Sequence, residues 1–311
     1  MRTRGERRPA GALQLRLHGL HPRRSGLTPA LAAAGLFALA ACGGGGDYGD
    51  TSLVAAGDIA SCFWRGDEAT ARLLDDIPGV VATLGDNVYP SGTDREFRQC
   101  YHRSWGRHRD RTRPSVGNHE YRTPGAAGYF NYFGERAGPR GKGWYSYDHE
   151  GWHVVVLNSD EPLERGTEQF GWLVDDLRRN RRTRCTLAYF HHPRWSSGKH
   201  GGKERVLDAY RALYDGGADV VLTGHDHHYE RFAPMDPVGR VDRARGIRSW
   251  VVGTGGAPSY ELRHEPAPNS ESIGQDVRGV LRFVFHPDSY EWEFVAIPGR
   301  RFTDAGRGEC H

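Results

Sequence analysis

Five short strand-like runs in this chain, most of them apolar, each end in residues that a hydrophobic core does not ask for. Ser52–Ala56 leads into Gly57-Asp58, 79–84 into Gly85-Asp86-Asn87-Val88-Tyr89, and 112–116 into Gly117-Asn118-His119. Residues 186–190 lead into His191, and 219–222 into Gly224-His225-Asp226-His227. Runs of this length and content read as buried strands. Helical spacing lies between them, over 68–76, 95–105, 167–179 (Phe170, Leu173 and Leu177 on one side) and 204–214, the last closing at Gly216-Gly217. Residues 144–148 and 152–158 read as a hairpin around Glu150-Gly151, 249–252 as a further strand, and 279–285 with 290–296 as a second hairpin. Strands alternating with helices predict an α/β domain. No internal repeat and no linker interrupts the chain after residue 50.

In open α/β sheets, ligands bind outside the carboxyl ends of the strands. Here those ends would bring Asp58, Asp86, Tyr89, Asn118, His119, His191, His225 and His227 to one edge. Burying so many polar groups without partners costs several kcal/mol, roughly 2–7 for each. Cations are the usual remedy. Carboxylates and an amide oxygen suit hard ions, whereas imidazoles suit iron, zinc, nickel or copper. The set is too large for one tetrahedral zinc and matches two ions. Two ions about 3.5–4 Å apart clamp an in-line displacement at phosphorus and lower the pKa of a bound water. Such chemistry needs no serine or cysteine nucleophile. The chain has no Gly-x-Ser-x-Gly, and no cysteine beside a plausible base.

The blocks Gly57-Asp58, Gly85-Asp86-Asn87-Val88-Tyr89, Gly117-Asn118-His119-Glu120, His191-His192-Pro193 and Gly224-His225-Asp226-His227 resemble, in order, the calcineurin-like metallophosphoesterases. Within that superfamily they are most similar to the purple acid phosphatase branch. The match runs from Val54 to about Arg231. The resemblance implies a two-sheet α/β/β/α sandwich and a hydrolase acting on small phosphate esters, most simply monoesters. It implies that Asp58, Tyr89 and His227 ligate a first metal, that Asp86 bridges, and that Asn118, His191 and His225 ligate a second. His119 would work in the outer sphere as a catalytic residue, and His200 would be a further substrate-contacting histidine. The superfamily commonly has Asp-x-His in its first block. This chain has Asp58-Ile59-Ala60, and Tyr89 stands in for the missing histidine. A phenolate favours a trivalent ion, so Fe(III) is expected in the first site and Zn, Mn or Fe in the second. Ala60 replaces the branch's usual glycine, which leaves every ligand in place. The same site could serve a phosphodiesterase or nucleotidase, and a non-catalytic surface-binding protein could keep the fold.

Other polar residues read more plainly. Glu120 supports the Asn118-His119 turn, and Arg231 enters a structural ion pair. Residues 196–202, rich in serine and glycine around His200, read as a loop able to close over substrate.

The first forty residues read as an address. Residues 27–41 are apolar and uncharged after an arginine-rich stretch, and are short for a bilayer span, which needs roughly 20 residues. Leu39-Ala40-Ala41-Cys42 resembles the lipid-attachment box of bacterial export signals, and Gly43–Gly46 would be a flexible tether. The expected organisation is an export signal over 1–41, a tether over 42–50 and a catalytic domain over 51–311. Only about ten residues separate Cys42 from the first strand, so no further amino-terminal domain is expected. The product would be periplasmic or at the cell surface, touching the membrane only through a lipid on Cys42. The overall charge of +3 conceals a division: residues 1–41 hold seven Arg and one Glu, so the rest carries 3 − 6 = −3. An acidic body does not indicate nucleic-acid binding. Oligomeric state is left open. In an exported chain the four remaining cysteines can form disulfides, with three possible connectivities. Cys62–Cys100 and Cys185–Cys310 are the favoured pairs, the first by proximity in sequence.

Overall fold

The structure is a computed structural model that describes residues 51–262 and 265–311. The segments expected to be export signal and tether, and Cys42, the expected site of lipid attachment, lie outside the described residues. No helix among the described residues is long and apolar enough to cross a membrane.

In chain order the strands are β1 (Ser52–Ala56), β2 (Ala60–Ser61), β3 (Val80–Leu84), β4 (Val88–Tyr89), β5 (Thr112–Ser115), β6 (Tyr145–His149), β7 (Trp152–Val156) and β8 (Thr186–Tyr189). They continue with β9 (Val220–Thr223), β10 (Tyr229–Phe232), β11 (Arg248–Val252), β12 (Ser270–Gly274), β13 (Gly279–Phe285), β14 (Ser289–Ala296) and β15 (Ala305–Glu309). The α-helices are α1 (Gly66–Asp76), α2 (Asp94–Gln99), α3 (Ala127–Phe133), α4 (Glu168–Arg179) and α5 (Leu207–Asp215).

Of the two main sheets, one has six strands in the order β15-β14-β13-β1-β3-β5 and the other seven in the order β12-β10-β11-β9-β8-β7-β6, and β2 and β4 form a separate two-stranded parallel pair. Each has a parallel heart, β1-β3-β5 in the first and β7-β8-β9-β11 in the second, finished by antiparallel strands at the edges. The central strands are apolar on both faces because both faces are covered. Leu53, Ala55, Leu281 and Phe283 of the first sheet share a core with Leu187, Leu222, Trp250 and Val252 of the second. The outer face of the second sheet packs Val155, Ala188 and Val221 against Leu173 and Leu177 of α4 and Ala209 and Leu213 of α5. α1 and the aromatic cluster of Phe97, Tyr101, Tyr132 and Phe133 pack against the first sheet's side of the core. This is the two-sheet α/β/β/α sandwich.

Both disulfides form as favoured, Cys62–Cys100 and Cys185–Cys310, with Cα atoms 5.0 and 5.4 Å apart. One helix is shorter than its spacing predicts. α2 stops at Gln99, and the chain continues as two 3₁₀ turns over Tyr101–Arg103 and Trp105–Arg111. The break falls at Cys100, which is tied to Cys62 and caps α2. β15, whose sequence alternates glycine with charged residues, gave no apolar signal. It is an edge strand in which Gly306 and Gly308 make room for Trp292 and Tyr290.

Candidate metal centre

The parallel strands of both sheets end at the same edge, and the five polar blocks follow them directly. β1 delivers Asp58, β3 delivers Asp86 and Tyr89, and β5 delivers Asn118 and His119; the second sheet delivers His191 after β8, and His225 and His227 after β9. Each turn is sharp. Asp58, Asp86 and His225 all adopt positive φ, at 60°, 48° and 72°. Such backbone costs of order 1–3 kcal/mol for a non-glycine residue and clusters at functional sites. The flanking glycines are there for space. A Cβ on Gly85 would stand 2.5 Å from His191 Nδ1, and one on Gly117 would stand 2.3 Å from the Asp86 nitrogen.

The side chains gather into two adjoining groups. In the first, the Tyr89 hydroxyl lies 2.8 Å from Asp58 Oδ1, 3.0 Å from Asp86 Oδ2 and 3.1 Å from His227 Nε2, and His227 Nε2 lies 3.2 Å from Asp58 Oδ1. In the second, Asn118 Oδ1 lies 3.1 Å from His191 Nε2 and 3.0 Å from His225 Nδ1, and those two nitrogens are 3.2 Å apart. Asp86 Oδ2 belongs to both groups, being also 3.4 Å from His191 Nε2. Ligand atoms of Asp58, Asp86 and His191 all lie within 4.8 Å of one another.

Backbone carbonyls set the imidazole tautomers. Leu84 O lies 2.8 Å from His191 Nδ1 and Pro258 O lies 2.6 Å from His227 Nδ1. A carbonyl only accepts, so each Nδ1 carries the proton and each Nε2 turns a lone pair to the centre. His225 is reversed: its Nδ1 faces the centre, and its Nε2 is buried with no hydrogen-bond partner among the described residues.

The electrostatics of the metal-free centre are those of a cation site. Burial, then the charges of Asp58 and Asp86, push the Tyr89 hydroxyl far above its ordinary range. Burial also works against ionisation of Asp86, but His191 and His119 outweigh it and hold that carboxyl well below the usual range. Burial disfavours the charged form of His191, yet Asp86 lifts it to about 10. Burial and the neighbouring His191 charge press His225 down to about 2. Two buried carboxylates, a phenol, an amide oxygen and three correctly turned imidazoles fit hard and borderline metals.

His119 stands over the first group. Its backbone N–H donates to Asp86 Oδ1 at 2.8 Å, its Nδ1 lies 2.7 Å from Pro90 O, and its ring is centred 4.1 Å from that of Tyr89. His200 reaches the rim of the second group, its ring 4.6 Å from that of His225. The loop carrying it is not a free lid. Ser196 Oγ donates to Asp226 Oδ2 at 2.6 Å, Ser197 N donates to Glu230 Oε2 at 2.8 Å, and His200 N donates to Asp226 Oδ1 at 2.9 Å. Its small polar residues serve this buried network, which corrects the reading of a closing loop. Glu120 does support the turn: its carboxylate accepts Val88 N–H at 3.1 Å and Gly117 N–H at 2.9 Å. Arg231 pairs with Asp304 at 2.8 Å and with Glu271. Sequence reasoning missed two neighbours of the centre. Tyr260 stacks on His227 at 4.0 Å, and Arg122 shares Pro90 O with His119 at 3.2 Å. Tyr260 lies in a loop after β11 with no motif to mark it.

The calcineurin-like phosphoesterase family model matches residues 51–229, more than half of the chain. The chain belongs to that family. Among curated relatives, Purple acid phosphatase 21 of Arabidopsis thaliana is 38% identical over 106 residues, covering 31% of this chain and 24% of the relative. The chain thus spans about a quarter of that relative's length. Among solved structures, the purple acid phosphatase PPD1 of yellow lupin (Lupinus luteus) superposes with a TM-score of 0.63 at 18% identity, covering 83% of this chain and 53% of that one. GAP50, titled the anchor in the inner membrane complex of Plasmodium, superposes with a TM-score of 0.64 at 14% identity, covering 84% and 89%. These two likenesses are likenesses of fold.

Proposed function

We propose that this calcineurin-like phosphoesterase hydrolyses phosphate monoesters with two metal ions. Asp58, Tyr89 and His227 would hold the first, Asn118, His191 and His225 the second, with Asp86 between them. Fold does not separate an enzyme from an anchor, since both kinds of protein share this sandwich. The observation that carries the reading is the shared oxygen: Asp86 Oδ2 lies 3.0 Å from one ligand group and 3.4 Å from the other. The tyrosine in the first group supports Fe(III) there, and the mixed amide and imidazole set supports Zn, Mn or Fe in the second. When bound, two such ions neutralise phosphoryl charge and make a nucleophile of water near neutral pH.

The chain's own residues do the rest. Asp86 fixes both groups through one oxygen and, through the other, accepts the His119 backbone N–H, so His119 is indexed to the centre. Pro90 O accepts from His119 Nδ1, which leaves Nε2 to exchange a proton with the leaving oxygen. Burial lowers the pKa of His119 against the pull of Asp86 and Pro90. His200, at the opposite rim, would contact the ester. The buried Asp226 and Glu230 keep the His200 loop in place, so His200 is held at the rim before substrate arrives.

Export and lipid attachment at Cys42 belong to the same proposal and rest on the apolar run and the box at 39–42. The test is elemental analysis with turnover of a chromogenic monoester and diester on one sample. Near two metals per chain, iron among them, with monoester turnover supports the reading. Two metals with diester turnover alone replaces it with the diesterase. No metal after reconstitution overturns it.

A further inference from the structure

The edge opposite the metal centre carries a cationic patch that ester hydrolysis does not use. Helix α4 ends at Arg179, and β8 begins at Thr186. From 178 to 184 the chain reads Arg-Arg-Asn-Arg-Arg-Thr-Arg, and all five arginines are exposed. Three of them have local partners. Arg178 pairs with Asp175 at 3.2 Å and Arg179 with Asp176 at 3.5 Å, both offsetting the negative end of the α4 dipole. Arg184 donates to Cys310 O at 3.0 Å. Arg181 and Arg182 form no ion pair among the described residues, although the body as a whole is acidic. Arg165, Arg178 and Arg181 also border a shallow hollow floored by Phe170, Val174 and Leu177, with Asp215 at its side.

Position gives the patch meaning. His191 follows the carboxyl end of β8 and joins the centre, so Thr186 and the arginines before it lie at the far edge. β1 is laid the same way, with Asp58 beyond its carboxyl end and Thr51 at the far edge. The two far ends are connected. Phe285 N donates to Thr51 O at 3.1 Å, and the turn after Phe285 brings Pro287 O within 3.7 Å of Cys185 Sγ, next to Arg184. The described chain therefore begins beside the arginines and away from the centre. Cys42 lies nine residues before Thr51 in sequence, and nine residues span at most about 30 Å.

We propose that this edge docks on an anionic phospholipid bilayer. The arginines would take headgroup phosphates, and the hollow beside them would rest on the interface. A lipid on Cys42 would hold the same edge to the membrane, and the metal centre would face the solvent. This goes beyond the anchor and does not depend on the hydrolytic reading.

The body from residue 45 onward forms one compact unit holding the whole described core and both disulfides, and lacks Cys42. Its sedimentation with vesicles of phosphatidylcholine, alone or mixed with phosphatidylglycerol, tests the proposal without any lipid attached. The parent body is expected to bind the charged vesicles and not the neutral ones, and to release them as salt is raised. Arg181→Ala with Arg182→Ala is expected to weaken that binding about thirtyfold and to leave thermal unfolding unchanged, since neither side chain has an ion-pair partner among the described residues. Equal binding to both vesicles, parental binding by the double variant, or preference for a duplex oligonucleotide over charged vesicles would overturn it. Each of those results leaves the proposed lipid attachment at Cys42 standing.

Discussion

Glu120 is where the architecture of the centre is most exposed to a single substitution. Its carboxylate is fully buried and joins the loop after β3 to the loop after β5 by accepting the N–H groups of Val88 and Gly117. Those loops carry Asp86, Tyr89, Asn118 and His119. Leaving one buried N–H unsatisfied costs about 1–3 kcal/mol. Above about pH 8, where the parent side chain is ionised, Glu120→Gln retains one acceptor and turns an amide N–H₂ toward the other donor, so it should lose about 1–3 kcal/mol of stability. Glu120→Ala loses both acceptors and should cost about 2–6 kcal/mol, a large part of a typical domain's 5–15 kcal/mol. Urea denaturation of the metal-free parent and the Gln variant measures this directly. pH adds a second reading. Burial, followed by the nearby Asp86 charge, pushes the Glu120 carboxyl up to about 8, above its ordinary 4.5. The folded state thus keeps a proton that the unfolded chain has lost. The stability contributed by the protonated carboxyl is complete below about pH 4.5 and drains away as pH rises toward 8. The Gln variant should lack that part of the decline. If Glu120→Gln unfolds at the parent's urea concentration and with the parent's pH profile, Glu120 is not the clamp described here.

Three further outcomes are expected. Asp86→Ala and His225→Ala should each abolish ester hydrolysis and lower metal content by elemental analysis; full activity in either purified variant refutes the ligand assignment. Tyr89→Phe should bleach the visible charge-transfer band of the iron-loaded protein, and a parent holoprotein without such a band argues against Fe(III) in the first group. Cys185→Ser with Cys310→Ser opens a closure between residues 125 apart and should cost about 5 kcal/mol by chain entropy, read as a lower urea midpoint; an unchanged midpoint refutes that account.

The centre was legible because its residues contradict their surroundings. Aspartate and histidine at the ends of apolar strands have no packing role, so their position and order carried the site without tertiary information. The glycines beside them were legible as turns, but their reason, the approach of His191 to Gly85 and of Asp86 to Gly117, appears only once the strands are side by side. Tyr260 gave no signal because it reaches the centre from a loop whose course depends on distant packing, and Arg122, at the end of the 3₁₀ turn that follows His119, reads in sequence as an exposed surface residue. Ser196 and Ser197 misled, since serine and glycine mark a mobile loop unless buried carboxylates such as Asp226 and Glu230 lie ready to receive their donors. β15 was hidden for a related reason: an edge strand that accommodates large aromatic neighbours through glycine has no apolar alternation to detect.

The proposed ligands are divided between the main sheets, with Asp58, Asp86 and Asn118 following strands of the first, Tyr89 on the short β4 that continues from β3, and His191, His225 and His227 following strands of the second. On the proposed reading neither sheet can retain the ions alone, and the pair of cations rivets one half of the sandwich to the other. Metal release and parting of the sheets then become one event. A chelator in excess would strip the protein at a rate set by how often the halves open, independent of chelator concentration. Metal loss would therefore serve as a clock for the slowest breathing motion of the fold.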